Sequence, residues 1–299
     1  MFKKEYMDLL KLYAISPVHA GSGASTGAVD LPIQRERHTN WPHIQASGVK
    51  GAMRAHFRET VQETYRPECI NKTEDLIFGT EEYLSEAEAG KKKESCPGAI
   101  TVSDAKLLAF PVRSNIAPFV WVTCPAVLAR LDRDLAMMGR MSEIALSTCK
   151  VSKDEAICLA GEIKEQKVLL EDAVVKVKSE TVQLVFLKDN FGEIERLLLI
   201  SDEMYDYCVT TCTEVQTQIK IDEKTGTAQA GALRYEELLP ADAVLYTVVA
   251  FHAAGLQNEM QVDAVAKTVK DSIRDFMQIG GDVTLGRGIC KIDWLGGEQ

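Results

Sequence analysis

The chain has no apolar run of bilayer-spanning length, which excludes a membrane-crossing helix. It has no Cys-x-x-Cys pair. Its cysteines stand at 69, 96, 124, 149, 158, 208, 212 and 290, and no pair is followed by spaced histidines, so a structural zinc site is not expected. Cys208 and Cys212 share a helical face, but two thiols alone make a poor site, and reduced buried thiols are the simpler reading. The first residues, Met1-Phe2-Lys3-Lys4-Glu5-Tyr6, lack the apolar core of a secretion signal. The expected location is the cytoplasm. Aromatic residues are sparse at 7%, and positive charge is outweighed, for a net charge of −10. That balance argues against a wholly basic nucleic-acid binder.

What is present is an ordinary core-forming composition. The 299 residues are 46% hydrophobic, enough for a substantial interior. The charge is also graded. Residues 1–60 hold eight basic residues against five acidic ones, while the acid lies mostly beyond 150. Screening confines each charge to roughly 8 Å at physiological salt, so the local balance matters more than the total.

Tyr6 to Ser16 reads as a strand with Leu10, Leu12 and Ala14 on one face. A long loop follows from Val18 to Ala46, a length that is usually functional or disordered. Ser47 reads as the N-cap of a helix running to about Tyr65, with Val49, Met53, Phe57 and Val61 as its apolar stripe. The segment Glu82 to Gly98 reads as a mobile polar loop, and Ala99 to Phe110 as a strand. Pro125 near N1 opens a helix with Val127, Leu128, Leu131, Leu135 and Met138 facing the core. Residues 141–180 read as a helical insertion, Thr181 to Phe186 as a strand, and Phe191 to Leu199 as helical. Thr217 to Ile221 and Leu233 to Leu238 flank a turn and form a hairpin. Val244 to His252 is a strand, Val262 begins a helix, and Ile289 to Trp294 closes the chain as a strand. Together these give an α+β, ferredoxin-like fold with insertions.

Three constellations carry chemistry. The first is Gly280-Gly281-Asp282-Val283-Thr284-Leu285-Gly286-Arg287-Gly288. Its glycines allow close backbone approach and present N–H groups to phosphate. It lacks the Gly-Lys-Ser/Thr ending of a nucleotide P-loop. Arg287, between two glycines, would be held out from the backbone. The second is Ser47-Gly48-Val49-Lys50-Gly51-Ala52-Met53-Arg54, a helix start that favours anions, with Lys50, Arg54 and Arg58 along one face. A solvated amphipathic helix is the bland alternative. The third is the loop from His19-Ala20-Gly21-Ser22-Gly23 to Asp30 and Arg35.

The order SPVHAGSG…VDLPIQRERHT, SGVKGAMR, IDEKTGTAQAGALRYEELLP and GGDVTLGRG resembles the RAMP superfamily, and in detail the backbone subunits of type III-B (Cmr) CRISPR effector complexes. The segment Asp30 to Thr39 is its most specific part. The resemblance implies a single RRM-like palm over 1–299, with insertions at about 66–98 and 130–180 and a thumb hairpin at about 217–238. It implies guide RNA held by His19, Ser22, Gly23, Ser47, Gly48, Lys50, Arg54, Gly280, Gly281, Gly286, Arg287 and Gly288. It implies complementary single-stranded target RNA, self-association into a helical filament, and other subunits of the complex as partners. It also implies cleavage of the target at regular intervals by Asp30. A carboxylate is a poor general base at neutral pH, so Asp30 is expected either to hold a divalent metal such as Mg2+ or to orient a 2′-hydroxyl. Glu236 is a candidate second carboxylate and His19 a candidate acid. Two other readings stay open: a non-catalytic RNA-binding scaffold, and an endonuclease that processes guide precursors, for which His56 is the nearest candidate.

Overall fold

The computed structural model describes residues 4–62, 67–79, 97–140, 150–181, 184–255 and 260–295. In chain order the elements begin β1 (Met7–Ala14), β2 (His43–Ile44), α1 (Ala46–Gln62), α2 (Pro67–Phe78), β3 (Ile100–Val102), β4 (Ala105–Arg113) and β5 (Phe119–Thr123). They continue with α3 (Pro125–Met137), β6 (Glu155–Ala160), β7 (Lys167–Leu170), β8 (Ala173–Thr181), α4 (Val185–Asn190), β9 (Leu197–Ile200) and α5 (Asp202–Thr211). Last come β10 (Glu214–Gln218), β11 (Arg234–Leu238), β12 (Val244–Phe251), α6 (Val262–Ser272), β13 (Asp275–Gln278) and β14 (Ile289–Trp294).

One sheet runs β13-β14-β1-β12-β4-β5-β9-β6-β8-β7, with β2 added to β4 and β3 to β12. The strands β14, β1, β12 and β4 are antiparallel neighbours. Helix α1 follows β1, and α6 lies between β12 and β14, which gives the strand–helix order of a ferredoxin-like palm. Strand β1 is nearly all buried, as a central strand covered on both faces must be. Its two charged residues are therefore paired. Lys11, 3% exposed, meets Glu193 at 3.0 Å and Asp293 at 2.9 Å. Asp8 meets Lys270 at 2.5 Å. Strand β4 joins the two halves of the sheet. Its first half pairs β12 up to Ala109, and its second half pairs β5 from Phe110 on. Pro111, which has no N–H to donate, falls in the second half.

Helix α1 buries Val49, Met53, Phe57 and Val61, and Phe57 meets Phe78 of α2 edge-on at 5.5 Å. Each such buried side chain stabilises the fold by about 1.5–3 kcal/mol relative to exposure. Helix α3 begins at Pro125 and buries Val127, Leu128, Leu131 and Leu135, four of the five residues its periodicity singled out; the fifth, Met138, is buried as the C-cap. Strands β10 and β11 form a separate antiparallel ribbon, from Glu214 opposite Leu238 to Gln218 opposite Arg234.

Several expectations are corrected. Ser47 lies inside α1, which starts at Ala46, so it is not the cap. Residues 155–181 are strands β6 to β8 rather than helix; the alternation Val175, Lys176, Val177, Lys178 carries the strand period that the high charge obscured. Thr181 ends β8, and α4 occupies 185–190 where a strand was expected. Leu197–Ile200 is a strand, because four consecutive apolar residues fit a fully buried strand as well as a helix. The loop reading for 82–98 lies, apart from its last two residues, outside the described residues, as do 141–149 and the end of the first helix beyond Gln62. Among the described residues no helix is long and apolar enough to cross a membrane.

Candidate nucleic-acid interface

The long first loop is tied to the base of the β10–β11 ribbon. Leu31 bridges Glu236 in parallel, Val18 bridges Leu239, and Gly21 bridges Ile33. The Leu31 N–H donates to the Tyr235 carbonyl at 3.0 Å, and the Glu237 N–H donates to the Leu31 carbonyl at 3.0 Å. The loop thus uses the open edge of β11 as a template. This register sets Asp30. Its Oδ2 accepts the Tyr235 N–H at 2.7 Å, and its carbonyl accepts the Ser25 N–H at 2.8 Å. Asp30 is half-buried. Its Oδ1 receives no hydrogen bond from the described residues, so one carboxylate oxygen remains for a ligand.

Two glutamates side by side on β11 hold the rest of the loop. Glu237 binds Arg35 Nη2 at 2.5 Å, Thr213 Oγ1 at 2.8 Å and the Ile33 N–H at 3.1 Å. Glu236 is 4% exposed and takes Gln218 Nε2 at 3.3 Å, with His19 Nε2 at 3.5 Å. Burial, and then the neighbouring Asp282 carboxyl, push Glu236 above the usual carboxylate range, against the pull of His19. The other ring nitrogen of His19, Nδ1, donates to the Glu237 carbonyl at 2.9 Å. Both ring nitrogens of His19 therefore face protein. Glu236 belongs to this joint; Asp30 is not among its partners.

The glycine loop closes the same joint. Gly280 has φ +90, and a Cβ there would stand 2.4 Å from the His19 carbonyl oxygen. Gly288 has φ +72, and a Cβ there would stand 2.0 Å from the Ile279 carbonyl oxygen. No other residue fits either place. The N–H groups of the loop are largely spent on protein. Gly281 donates to His19 at 2.8 Å, Gly288 to Pro17 at 2.9 Å, Gly286 to Val283 at 3.0 Å and Arg287 to Asp282 at 3.3 Å. This corrects the expectation that these groups are presented to phosphate. Arg287 points to Gln216 at the ribbon base, with its Nε buried and unpartnered among the described residues. The exposed parts are Gly280, Thr284, Gly286 and the apolar side chains Val283 and Leu285. On the first loop, Ser22 and Gly23 are exposed, with Ser22 Oγ donating to the Pro32 carbonyl at 3.1 Å.

The basic face of α1 is also spoken for. The first N–H of the helix, at Ala46, donates to the Asp104 carboxylate at 2.7 Å. Arg54 and Arg58 both grip Glu74 of α2, which is 4% exposed, and Arg54 reaches Asp75 at 3.4 Å. Against the cost of burial, hydrogen bonds from Arg58 and Arg54 hold Glu74 below the usual carboxylate range. Lys50 donates to the Ile100 carbonyl at 3.4 Å, and burial followed by the Arg54 charge pushes its ammonium pKa down. Ser47, Gly48 and Gly51 are exposed, and a side chain at Gly51 would meet nothing within 4 Å. The helix therefore bears a glycine costing about 1 kcal/mol that nothing inside the chain requires. His56 packs toward Ser272 and Arg274, with burial lowering its pKa.

A family model described as the RAMP superfamily matches residues 11–291. The chain belongs to the RAMP superfamily. It is 33% identical to the CRISPR system Cmr endoribonuclease Cmr4 of Pyrococcus furiosus, over 95% of this chain and 94% of that protein. The crystal structure of oligomeric Cmr4 from Pyrococcus furiosus superposes with a TM-score of 0.70 at 26% identity, covering 98% of this chain and 99% of that one. A chain in the cryo-EM structure of a type III-B Cmr-beta complex bound to cognate target RNA shares the fold, with a TM-score of 0.74 at 21% identity and 98% of each chain covered.

In this RAMP protein no three His, Cys, Asp or Glu side chains converge as a metal site among the described residues. Asp30 offers one free oxygen, so the chain alone does not build a metal cage. Sequence reading of the RAMP motifs missed Glu74, Gln216 and Glu237. Each is an ordinary polar residue in sequence, and only the fold sets it opposite an arginine.

Proposed function

We propose that this chain is the backbone subunit of a cytoplasmic type III-B CRISPR ribonucleoprotein that holds guide RNA and cuts complementary target RNA beside its thumb. The observation that carries this reading is Asp30: a carboxylate fixed to the root of the β10–β11 thumb by the Tyr235 N–H, with its second oxygen free. The 33% identity to an endoribonuclease over nearly the whole chain supports it. The guide backbone would lie over the exposed Ser22, Gly23, Ser47, Gly48, Gly280 and Gly286, with Lys50 and the Arg54 face beside it.

Asp30 acts by orientation, since a carboxylate accepts a proton poorly at neutral pH. Its free oxygen accepts the hydrogen bond of a ribose 2′-hydroxyl while the thumb splays the strand toward in-line geometry. The O2′–P bond forms and the P–O5′ bond breaks. The 2′-hydroxyl proton passes to solvent, and water reprotonates the leaving 5′-oxygen. The ends are then a 2′,3′-cyclic phosphate and a 5′-hydroxyl. A divalent cation belongs to the same proposal: Asp30 would hold it, and it would offset charge on the phosphate.

Filament formation also fits. Val215, Ile219, Ile221 and Leu233 on the thumb, with Val283 and Leu285 on the glycine loop, are exposed in a single copy, as expected of surfaces that a neighbour covers. The test is reconstitution with guide RNA and the sister subunits. The expected product is a ladder of target fragments at one constant interval with cyclic-phosphate ends, abolished by chelation while RNA binding persists. Intact target in a fully assembled complex contradicts the reading.

A further inference from the structure

The sheet ends at opposite edges in β13, beside the glycine loop, and in β7. The β7 end carries an open groove of about 630 Å³, lined by Ile163 to Lys167 on one side and Lys176 to Ser179 on the other. Lys164, Lys167, Lys176 and Lys178 stand in it against one acid, Glu165. In a chain of net charge −10, this is a local reversal of sign.

Strand pairing creates the reversal. Lys167 sits opposite Lys176 in the β7–β8 register, while Val168, Leu170 and Val175, pointing to the other face, are fully buried. Like charges directly opposite on a sheet repel. Lys178 is matched by Glu155 at 3.0 Å, and Lys164 reaches Glu162 only at 3.8 Å. Lys167 and Lys176 are both exposed and have no carboxylate within ion-pair distance among the described residues. The fold thus holds a repulsive pair open at the groove, a pattern that an anion would relieve.

The side chains select the kind of anion. Among the described residues that line the groove there is no arginine and no aromatic residue. Protein interfaces are enriched in both and depleted in lysine. Lysine is a hydrated point charge that meets phosphate without the fixed fork arginine offers a carboxylate. Lys176 and Lys178 project from the same face of β8, about 7 Å apart, a spacing comparable to that of successive phosphates on one nucleic-acid strand. The lack of aromatic rings removes base stacking as a source of sequence preference.

We propose that the β7–β8 groove is a sequence-independent binding site for the phosphate backbone of single-stranded RNA, separate from the Asp30–thumb site. The proposal rests on the reading of the chain as an RNA-binding protein. It differs from that reading in placing free cations on the strand insertion, where no RAMP motif falls.

The test uses the full chain and a labelled, unstructured single-stranded RNA, titrated at a series of salt concentrations. The double variant Lys167→Ala/Lys176→Ala should weaken binding at low salt and reduce the slope of log K against log salt by about 1.4, from 0.7 per phosphate contact. The variant Lys167→Arg/Lys176→Arg should keep the wild-type slope. Thermal stability of the alanine variant should be unchanged or higher, because a repulsive pair is removed. An unchanged slope in the alanine variant, with wild-type RNA binding intact, overturns the groove alone. Loss of self-association by sedimentation with an unchanged RNA slope also overturns it and makes the groove a protein interface. Failure of the wild-type chain to bind RNA at any salt overturns the RNA-binding reading and the groove with it.

Discussion

Helix α1 and the β7–β8 hairpin each set cations on one face, yet the fold neutralises the two sets to different degrees among the described residues. On α1, Arg54 and Arg58 close on Glu74, and Lys50 lies half-buried against the Ile100 carbonyl. On the hairpin, Lys167 and Lys176 face each other, and neither has a carboxylate within ion-pair distance among the described residues; Glu155, opposite Lys176 on β6, is taken by Lys178. The α1 row was the more conspicuous in sequence, because its spacing follows the helical repeat. Spacing shows where charge is displayed. It does not show whether the fold has already neutralised it, and a phosphate approaching Arg54 must compete with a buried carboxylate.

The change expected to disturb this contrast most is Glu74→Gln. It removes the carboxylate that the two arginines share, leaving Arg54 on Asp75, and with it charge-assisted hydrogen bonds worth roughly 1.5–3 kcal/mol. Denaturant unfolding should register that loss. Salt-dependent RNA titration should at the same time show a steeper slope, by up to about 1.4 if both arginines take phosphates. A variant less stable but unchanged in slope would mean that the α1 row lies off the RNA path.

A smaller effect should come from acid. Glu74 has its carboxyl held below the ordinary range by Arg58 and Arg54. Its contribution to stability is fully present above about pH 4.3, the ordinary glutamate value, and is lost as the pH falls through the lower folded value. Thermal unfolding followed downward from neutral pH should show this loss in the wild type and a shallower one in Glu74→Gln. Identical profiles would assign the acid sensitivity to other carboxylates, Glu193 first, since against the cost of burial Lys291 and Lys11 hold it at about 2. The smallest effect should be that of Arg54→Ala, which should lower the RNA salt slope by less than the 0.7 or so of a free cation, because Glu74 already occupies its guanidinium.

Much of the palm was legible in sequence. The apolar stripe of α1, Pro125 at the head of α3, the turn from Asp222 to Thr227 and the strand read from Val244 to His252, which ends at Phe251, each carry a local signal that the packing respects. The strand insertion was not legible, because charged residues alternate with valines there and the charge dominated the reading. The site divided in the same way. Glycines 280 and 288 marked a close backbone approach. Gly288 approaches Ile279 within the loop itself, but that Gly280 approaches His19, and that the N–H groups answer Pro17 and His19, depends on contacts from the other end of the chain. Asp30 was singled out by resemblance, while its hold on the Tyr235 N–H, 205 residues away, had no sequence signal.

The most direct measurement is target cleavage and guide binding on the same preparation of complex rebuilt with Asp30→Asn. The amide keeps an oxygen able to accept the Tyr235 N–H, so the loop should stay on the thumb and guide RNA should bind as in the wild type. Cleavage at every interval should be lost. Cutting at the wild-type rate would contradict the account, and loss of guide binding together with cutting would make Asp30 a structural residue of the joint.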